Sequence, residues 1–274
     1  MRTTLKEWRY IQYDRQPAAE NMALDQYLIK YYKKTGRPVF RIYGWNPAAI
    51  SVGKNQDVMR DINIENCTED EMCIVRRITG GGAIFHSNEL TYSLVCSEAD
   101  INCKNLGVKE SFEKLNAFLI EFYKTIGVKA AFAKDTLKKA KFGAPSAFCF
   151  AGTEEYDIAA GGKKIGGNAQ ARGKEIIFQH GSIPIEKESE KAQRYFNGLI
   201  NHDAFTCLES LLKKRPEAES LEKELKKAFE KALGIKLKEE KLLEKEKEAV
   251  DTLTLGKYSS DEWNLKGGKD EDAF

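Results

Sequence analysis

No run in this 274-residue chain approaches the roughly 20 apolar residues that a membrane-spanning helix needs. The opening residues, Met1-Arg2-Thr3-Thr4-Leu5-Lys6-Glu7-Trp8, lack the apolar core of a secretory signal. An excess of one charge is also missing. Lys and Arg total 44 against 42 Asp and Glu, a net +2, without the basic surplus of a general nucleic-acid binder. The six cysteines, at 67, 73, 96, 103, 149 and 207, include no C-x-x-C pair. The three histidines, His86, His180 and His202, stand at no recognisable zinc-ligand spacing. These absences lead to the expectation of a cytoplasmic protein with no membrane, nucleic-acid or metal role. Its cysteines should be free thiols, most of them core fillers.

What is present is the composition of an ordinary globular protein, 42% hydrophobic and 31% charged. No repeat and no Pro/Gly/Ser linker marks a boundary, so residues 1–274 are expected to form a single domain. Period-2 runs predict strands over 8–13, 39–43, 49–52, 73–78, 83–86 and 90–96. Helical spacing predicts helices over 20–33 and 109–126, the second stopping at Gly127. Residues 156–185 read as β-structure, with Gly161-Gly162 fitting a two-residue hairpin turn. From Pro216 onward the chain reads as helical, with Glu219–Lys223 and Glu222–Lys226 as i,i+4 pairs on a solvated face. The fold class that follows is α/β (α+β), a mixed sheet flanked by helices.

Three segments could carry chemistry. Gly80-Gly81-Gly82 joins two predicted strands, where backbone without Cβ atoms turns sharply or approaches a ligand closely. A lone triple glycine is a turn or bulge, but here Arg76-Arg77 precedes it and Phe85-His86 follows. It is not a nucleotide P-loop, because no Gly-Lys-Ser/Thr follows. Cys149, in Pro145-Ser146-Ala147-Phe148-Cys149-Phe150, is either a buried filler between aromatic rings or a nucleophile on an irregular approach. A nucleophilic thiol is helped by a nearby cation, since free cysteine ionises only near pH 8.5. Lys163 and Lys164 would point to opposite faces of a strand, so either both edge a surface hairpin or one enters a pocket. His180, in Gln179-His180-Gly181-Ser182, is either a base or a hydrogen-bonded strand residue.

Taken together, these segments resemble the lipoate-protein ligase and octanoyltransferase family, which shares the biotin–protein ligase catalytic fold. The resemblance spans most of the chain. Asn21-Met22-Ala23-Leu24-Asp25 is similar to the family's first helix. Arg41-Ile42-Tyr43-Gly44-Trp45 and Ser51-Val52-Gly53-Lys54-Asn55-Gln56 are similar to its next strands and loop. Arg76 through His86 resembles the lipoyl-binding loop, and Lys163 through Gln170 the segment that carries the family's lysine, Lys164 by register. Gly166 departs from the pattern, since the ligases usually have serine there.

The resemblance implies Cys149 and Lys164 as catalytic residues, and acyl binding by Arg77, Gly80, Gly81, Gly82, His86, Gly167 and His180. Within the family the cysteine discriminates. Ligases activate a free acid with ATP, whereas Pro145-Ser146-x-x-Cys149-Phe150 resembles the octanoyltransferases whose cysteine lies upstream of the lysine. The implied reaction moves octanoate from octanoyl-acyl carrier protein through a cysteine thioester to a lysine of a lipoyl-domain protein, such as glycine cleavage H protein. It uses no cofactor and no metal. The chain is expected to lack the accessory C-terminal domain of many ligases. Two alternatives are an ATP-dependent ligase and an amidotransferase between lipoyl-domain proteins. The latter's loop usually departs from the Gly-Gly-Gly and Phe-His retained here.

Overall fold

The structure is a computed structural model, and it describes residues 6–104, 106–137 and 155–267. Its strands are β1 (Lys6–Ile11), β2 (Arg15–Gln16), β3 (Val39–Trp45), β4 (Ala49–Val52), β5 (Cys73–Arg76), β6 (Ile84–His86) and β7 (Glu89–Cys96). They continue as β8 (Ala130–Phe132), β9 (Ile158–Ala160), β10 (Lys163–Lys164), β11 (Gly167–Arg172), β12 (Ile177–Pro184) and β13 (Ile235–Glu239). Among the described residues seven strands form one mixed sheet in the order β11-β12-β7-β3-β1-β13, with β2 also on β3. Two three-stranded sheets, β5-β4-β6 and β10-β9-β8, complete the frame. This is the mixed sheet flanked by helices expected from the pattern.

Period-2 alternation sorts β3, β7 and β12 into two faces. Phe40, Ile42, Leu90, Tyr92 and Leu94 face the helices Val108–Thr125 and Ala218–Leu233 and form the largest apolar cluster. At its centre the Phe229 ring stacks on Phe40 at 3.9 Å and meets Phe118 edge-on at 5.0 Å. Burying each such ring contributes about 1.5–3 kcal/mol. The opposite face carries Val39, Arg41, Tyr43, Trp45, Ser93, Phe178 and His180. It is covered by the helix Ala18–Thr35, which supplies Met22, Leu28 and Asp25. A helix laid over polar strand positions requires buried partners for them. Those partners become the walls of the site described below.

The Gly161-Gly162 turn is as expected. Both glycines have positive φ, 57° and 76°, and Ala160 pairs with Lys163 across them, the type I′ arrangement.

The region after Pro216 differs from expectation. Its helix Ala218–Leu233 ends at Gly234, but β13 then pairs in parallel with β1 before the helix Glu244–Leu253 begins. In Ile235-Lys236-Leu237-Lys238-Glu239 only Ile235 and Leu237 are buried, a short alternation that dense Lys and Glu obscure. Glu222 does not serve a surface pair with Lys226 either. It is buried, accepting hydrogen bonds from the Tyr10 hydroxyl and, at 3.0 Å, from the Tyr13 amide. Lys226 lies 4.7 Å from the Tyr10 ring centre and 3.9 Å from Glu239.

Candidate active site

A narrow slot opens where the helix Ala18–Thr35, the small β4 sheet and the β11–β12 hairpin converge. Met22, Tyr43, Trp45 and Ile84 give it apolar walls, while Ser51, Arg77, His86, Thr91 and His180 line it with polar groups. Gly167 and Gly181, together with Asn168, Ala169 and Ser182, form its side along the hairpin. About 20 Å³ is open inside, room for one water.

Arg77 sets one end. Its Nη1 donates to the Ser51 carbonyl and hydroxyl, both at 3.0 Å, and its Nη2 to the carbonyls of Gly80 and Gly82 at 2.9 and 3.1 Å. Gly81, with φ +97°, allows the loop to curl around that guanidinium. Gly80 and Gly81 are exposed, and none of the three glycines lines the slot. Arg76, the preceding residue, points the other way. It donates to carbonyls of Gly53, Lys54, Gln56, Trp263 and Leu265, tying the C-terminal segment to the loop after β4.

A carboxylate fixes the tautomer of His86. The His86 Nδ1 lies 2.7 Å from Glu89 Oε1, so it donates there, and its Nε2 accepts from the Ser51 hydroxyl at 2.6 Å. Its ring stacks on Trp45 at 3.8 Å. Burial alone would raise the Glu89 carboxyl, but His86, Ser182 and Thr91 outweigh it and hold it below its usual range. His180 Nε2 lies 2.7 Å from Thr79 Oγ1, and its Nδ1 lies 3.7 Å from Asp25 Oδ2. Burial pushes His180 below its ordinary 6.5 despite the Asp25 charge. Asp25 itself is buried, yet Arg41 at 2.8 Å, His180 and Ser93 bring its carboxyl below the normal value. A continuous buried polar chain thus runs from Arg41 through Asp25, His180 and Thr79 to Arg77, then through Ser51 and His86 to Glu89.

The β9–β10 hairpin separates the two lysines. Lys163 is half-exposed and lies 3.3 Å from Asp203, while Lys164 is buried with its Nζ 2.7 Å from Asp157 Oδ2. Main-chain bonds hold Lys164 on both sides. Its N–H donates to Ala204 and its carbonyl accepts from Thr206, at 3.1 and 2.9 Å. Two residues on, Gly166 has φ +88°, and a Cβ there would stand 2.4 Å from the Ser182 carbonyl oxygen. The departure from serine at 166 therefore has a local cause in this backbone. One residue further, Gly167 reaches the slot.

Of the residues singled out in the sequence, Arg77, His86, Gly167 and His180 line the slot. Gly80 and Gly82 cap Arg77, and Lys164 sits buried three residues before Gly167. Cys149 lies outside the described residues. Sequence reasoning did not single out Asp25, Arg41, Ser51, Thr79, Glu89, Asp157 or Ser182. Most are polar residues inside strands, and a polar residue at an inward strand position was the available signal. Among the described residues no group of three His, Cys, Asp or Glu is placed to hold a metal, and no helix is long and apolar enough to cross a membrane.

The lipoyl protein ligase A/B catalytic domain model matches residues 17–230. The chain is 34% identical over 282 residues to the octanoyltransferase LipM of Bacillus subtilis (strain 168), covering 94% of this chain and 98% of that protein. It is equally 34% identical over 279 residues to the octanoyltransferase LipM of Geobacillus kaustophilus (strain HTA426), again 94% and 98% of the two chains. Among solved structures it resembles lipoate-protein ligase A bound with ATP, with TM-score 0.80, 20% identity and coverage of 96% and 100%. It also resembles the putative lipoate protein ligase Ta0514 of T. acidophilum with bound lipoic acid, with TM-score 0.78, 20% identity and coverage of 94% and 99%.

Proposed function

This chain belongs to the lipoyl protein ligase A/B catalytic domain family, and from that premise we propose how it works as an octanoyltransferase of lipoate biosynthesis. The donor is octanoyl-acyl carrier protein and the acceptor is a lysine of a lipoyl-domain protein, such as glycine cleavage H protein. The Cys149 thiolate attacks the donor thioester carbonyl, a new C–S bond forms as the donor's breaks, and the carrier leaves as a thiolate that takes up the proton Cys149 gave up. The acceptor amine then attacks the acyl-Cys149 carbonyl. An amide forms, the C–S bond breaks, and the cysteine takes back a proton.

The first exchange is nearly neutral in energy, since one thioester replaces another. The second is downhill and drives the transfer. Lys164 supplies positive charge where the carbonyl oxygen becomes an oxyanion, and electrostatic stabilisation of that kind is a large catalytic contribution. Arg77, His86, Gly167 and His180 line the slot for the acyl end, and the Gly80-Gly81-Gly82 loop acts through Arg77, which it caps. An acyl chain entering the slot gains about 0.8 kcal/mol per buried CH₂.

The observation that carries this reading is the match to curated octanoyltransferases along 94% of the chain. Intact-mass measurement tests it. Octanoyl-acyl carrier protein should add one octanoyl group that hydroxylamine removes, and Cys149→Ala and Cys149→Ser should not form the thioester. Transfer by Cys149→Ala at the wild-type rate would overturn the relay.

A further inference from the structure

Asp157 and Lys164 form an ion pair of 2.7 Å with side chains 7% and 3% exposed. Asp157 immediately precedes β9 and Lys164 ends β10, so the tight Gly161-Gly162 turn fixes the two residues across one hairpin. Lys164 is held by main-chain bonds on both sides, and Asp157 by its carbonyl, which accepts from the Ala133 amide at 2.7 Å. The freedom left to the ammonium is that of its four-carbon stem. A charge-assisted bond from a fixed carboxylate restricts that stem directly. Truncating one partner of such a pair leaves a buried charge uncompensated, whereas removing both does not.

We propose that Asp157 is a positioning residue of the transfer reaction, holding the Lys164 ammonium at the hairpin so that it meets the acyl carbonyl. This rests on the reading of Lys164 as a catalytic residue. An ammonium has three N–H donors, and the bond to Asp157 engages one of them. Asp157 itself touches neither acyl group nor thiol in this scheme. It acts through Lys164, and that makes the two residues a unit whose deletions do not add.

The test compares the wild-type chain with Asp157→Asn, Asp157→Glu, Lys164→Met and the double variant Asp157→Asn/Lys164→Met. Transfer kinetics with octanoyl-acyl carrier protein and thermal midpoints are read for each. Asp157→Asn should lower kcat about 10- to 10²-fold, up to the scale of misplacing a reacting group by about 1 Å, with KM for the donor nearly unchanged. The double variant should be no slower than Lys164→Met and should melt above Asp157→Asn, because no lone buried charge remains. Asp157→Glu keeps the charge and shifts it by one methylene, so it should melt near wild type and transfer more slowly. Where Asp157→Asn fails to fold, Asp157→Glu and the double variant carry the test. An Asp157→Asn or Asp157→Glu chain with wild-type kcat beside an inactive Lys164→Met overturns the inference and leaves the reading of Lys164 standing. A fully active Lys164→Met overturns both.

Discussion

Gly53 lies directly under the carbonyl of Gly81: a Cβ on Gly53 would stand 2.0 Å from that oxygen. The glycine at 53 is thus required by the loop that follows β5, and Gly53→Ala has to lift that loop. Arg77 grips the loop through Gly80 and Gly82 and touches Ser51, which bonds His86, so the displacement reaches the slot. Overpacking of this kind costs about 1–3 kcal/mol. Expressed at the site, that is a loss of about 5- to 150-fold in kcat/KM. Steady-state kinetics with octanoyl-acyl carrier protein checks it, and unchanged kinetics would mean the loop moves without consequence for the acyl group.

The two hairpin lysines should differ sharply. Lys164→Ala removes a buried cation, and transfer should fall by about 10²-fold or more, as for loss of an oxyanion-stabilising group. Lys163 is half-exposed beside a fully solvated Asp203, where an ion pair contributes about 0–1 kcal/mol, so Lys163→Ala should stay close to the wild-type rate. Equal effects in the transfer assay would show that the inward lysine is not in the chemistry.

That the two lysines take opposite faces was legible because strand periodicity is local. Which of them turns inward came from the resemblance to the family, since the pattern alone also fits two lysines edging a surface hairpin. Arg76 and Arg77 obey the same alternation, but the sequence alone does not say which side holds the slot. The answer depends on the C-terminal segment, which approaches Arg76 from nearly 190 positions away. Strand β13 escaped notice because two buried aliphatic residues among lysines look like a solvated helix until β1 is placed beside them. Glu222 reads as a surface charge for the same reason, since helical spacing shows its face but not the Tyr10 hydroxyl above it. The chain from Asp25 through the two histidines to Glu89 joins one helix, the four strands β4, β6, β7 and β12, and the loop after β5. Most of these elements are far apart in sequence, and only tertiary placement brings them together.

Stability should depend on pH in two steps. Burial holds His180 below 6.5, so under that pH the unfolded chain binds a proton that the folded chain refuses. The His180 contribution is therefore complete above 6.5 and is lost as pH falls through the lower folded value. Asp25 and Glu89 are held below 3.8 and 4.5, so their contributions are present above those values and vanish on further acidification. Each step can remove at most about 1.4 kcal/mol per pH unit per group. Melting curves should show a plateau above pH 7, a first decline below 6.5 and a steeper one below 4.5. His180→Asn should abolish the first decline and keep the second. Its persistence in that variant would assign the step to another group.

The donor decides between transferase and ligase. A ligase must spend ATP to convert a carboxylate, which amines do not attack, into an acyl-adenylate. A thioester arrives already activated, and a cysteine can accept it without nucleotide. Octanoyl-acyl carrier protein alone should therefore modify a lipoyl-domain protein, while free octanoate or lipoate with ATP and Mg²⁺ should not. The shared fold does not settle this, because ATP-binding ligases resemble the chain at TM-score 0.80 with only 20% identity. The cost of each route is what differs. If the chain used ATP, Cys149→Ala would leave modification intact, since an adenylate needs no sulfur relay. If it uses the thioester, the same substitution should abolish it. Gel-shift or mass readout of the acceptor, run with both donors on both proteins, gives four results. Modification only by wild type with the carrier-bound donor is the expected one. Robust ATP-dependent modification by Cys149→Ala, with no response to the carrier-bound donor, would place the chain among the ligases.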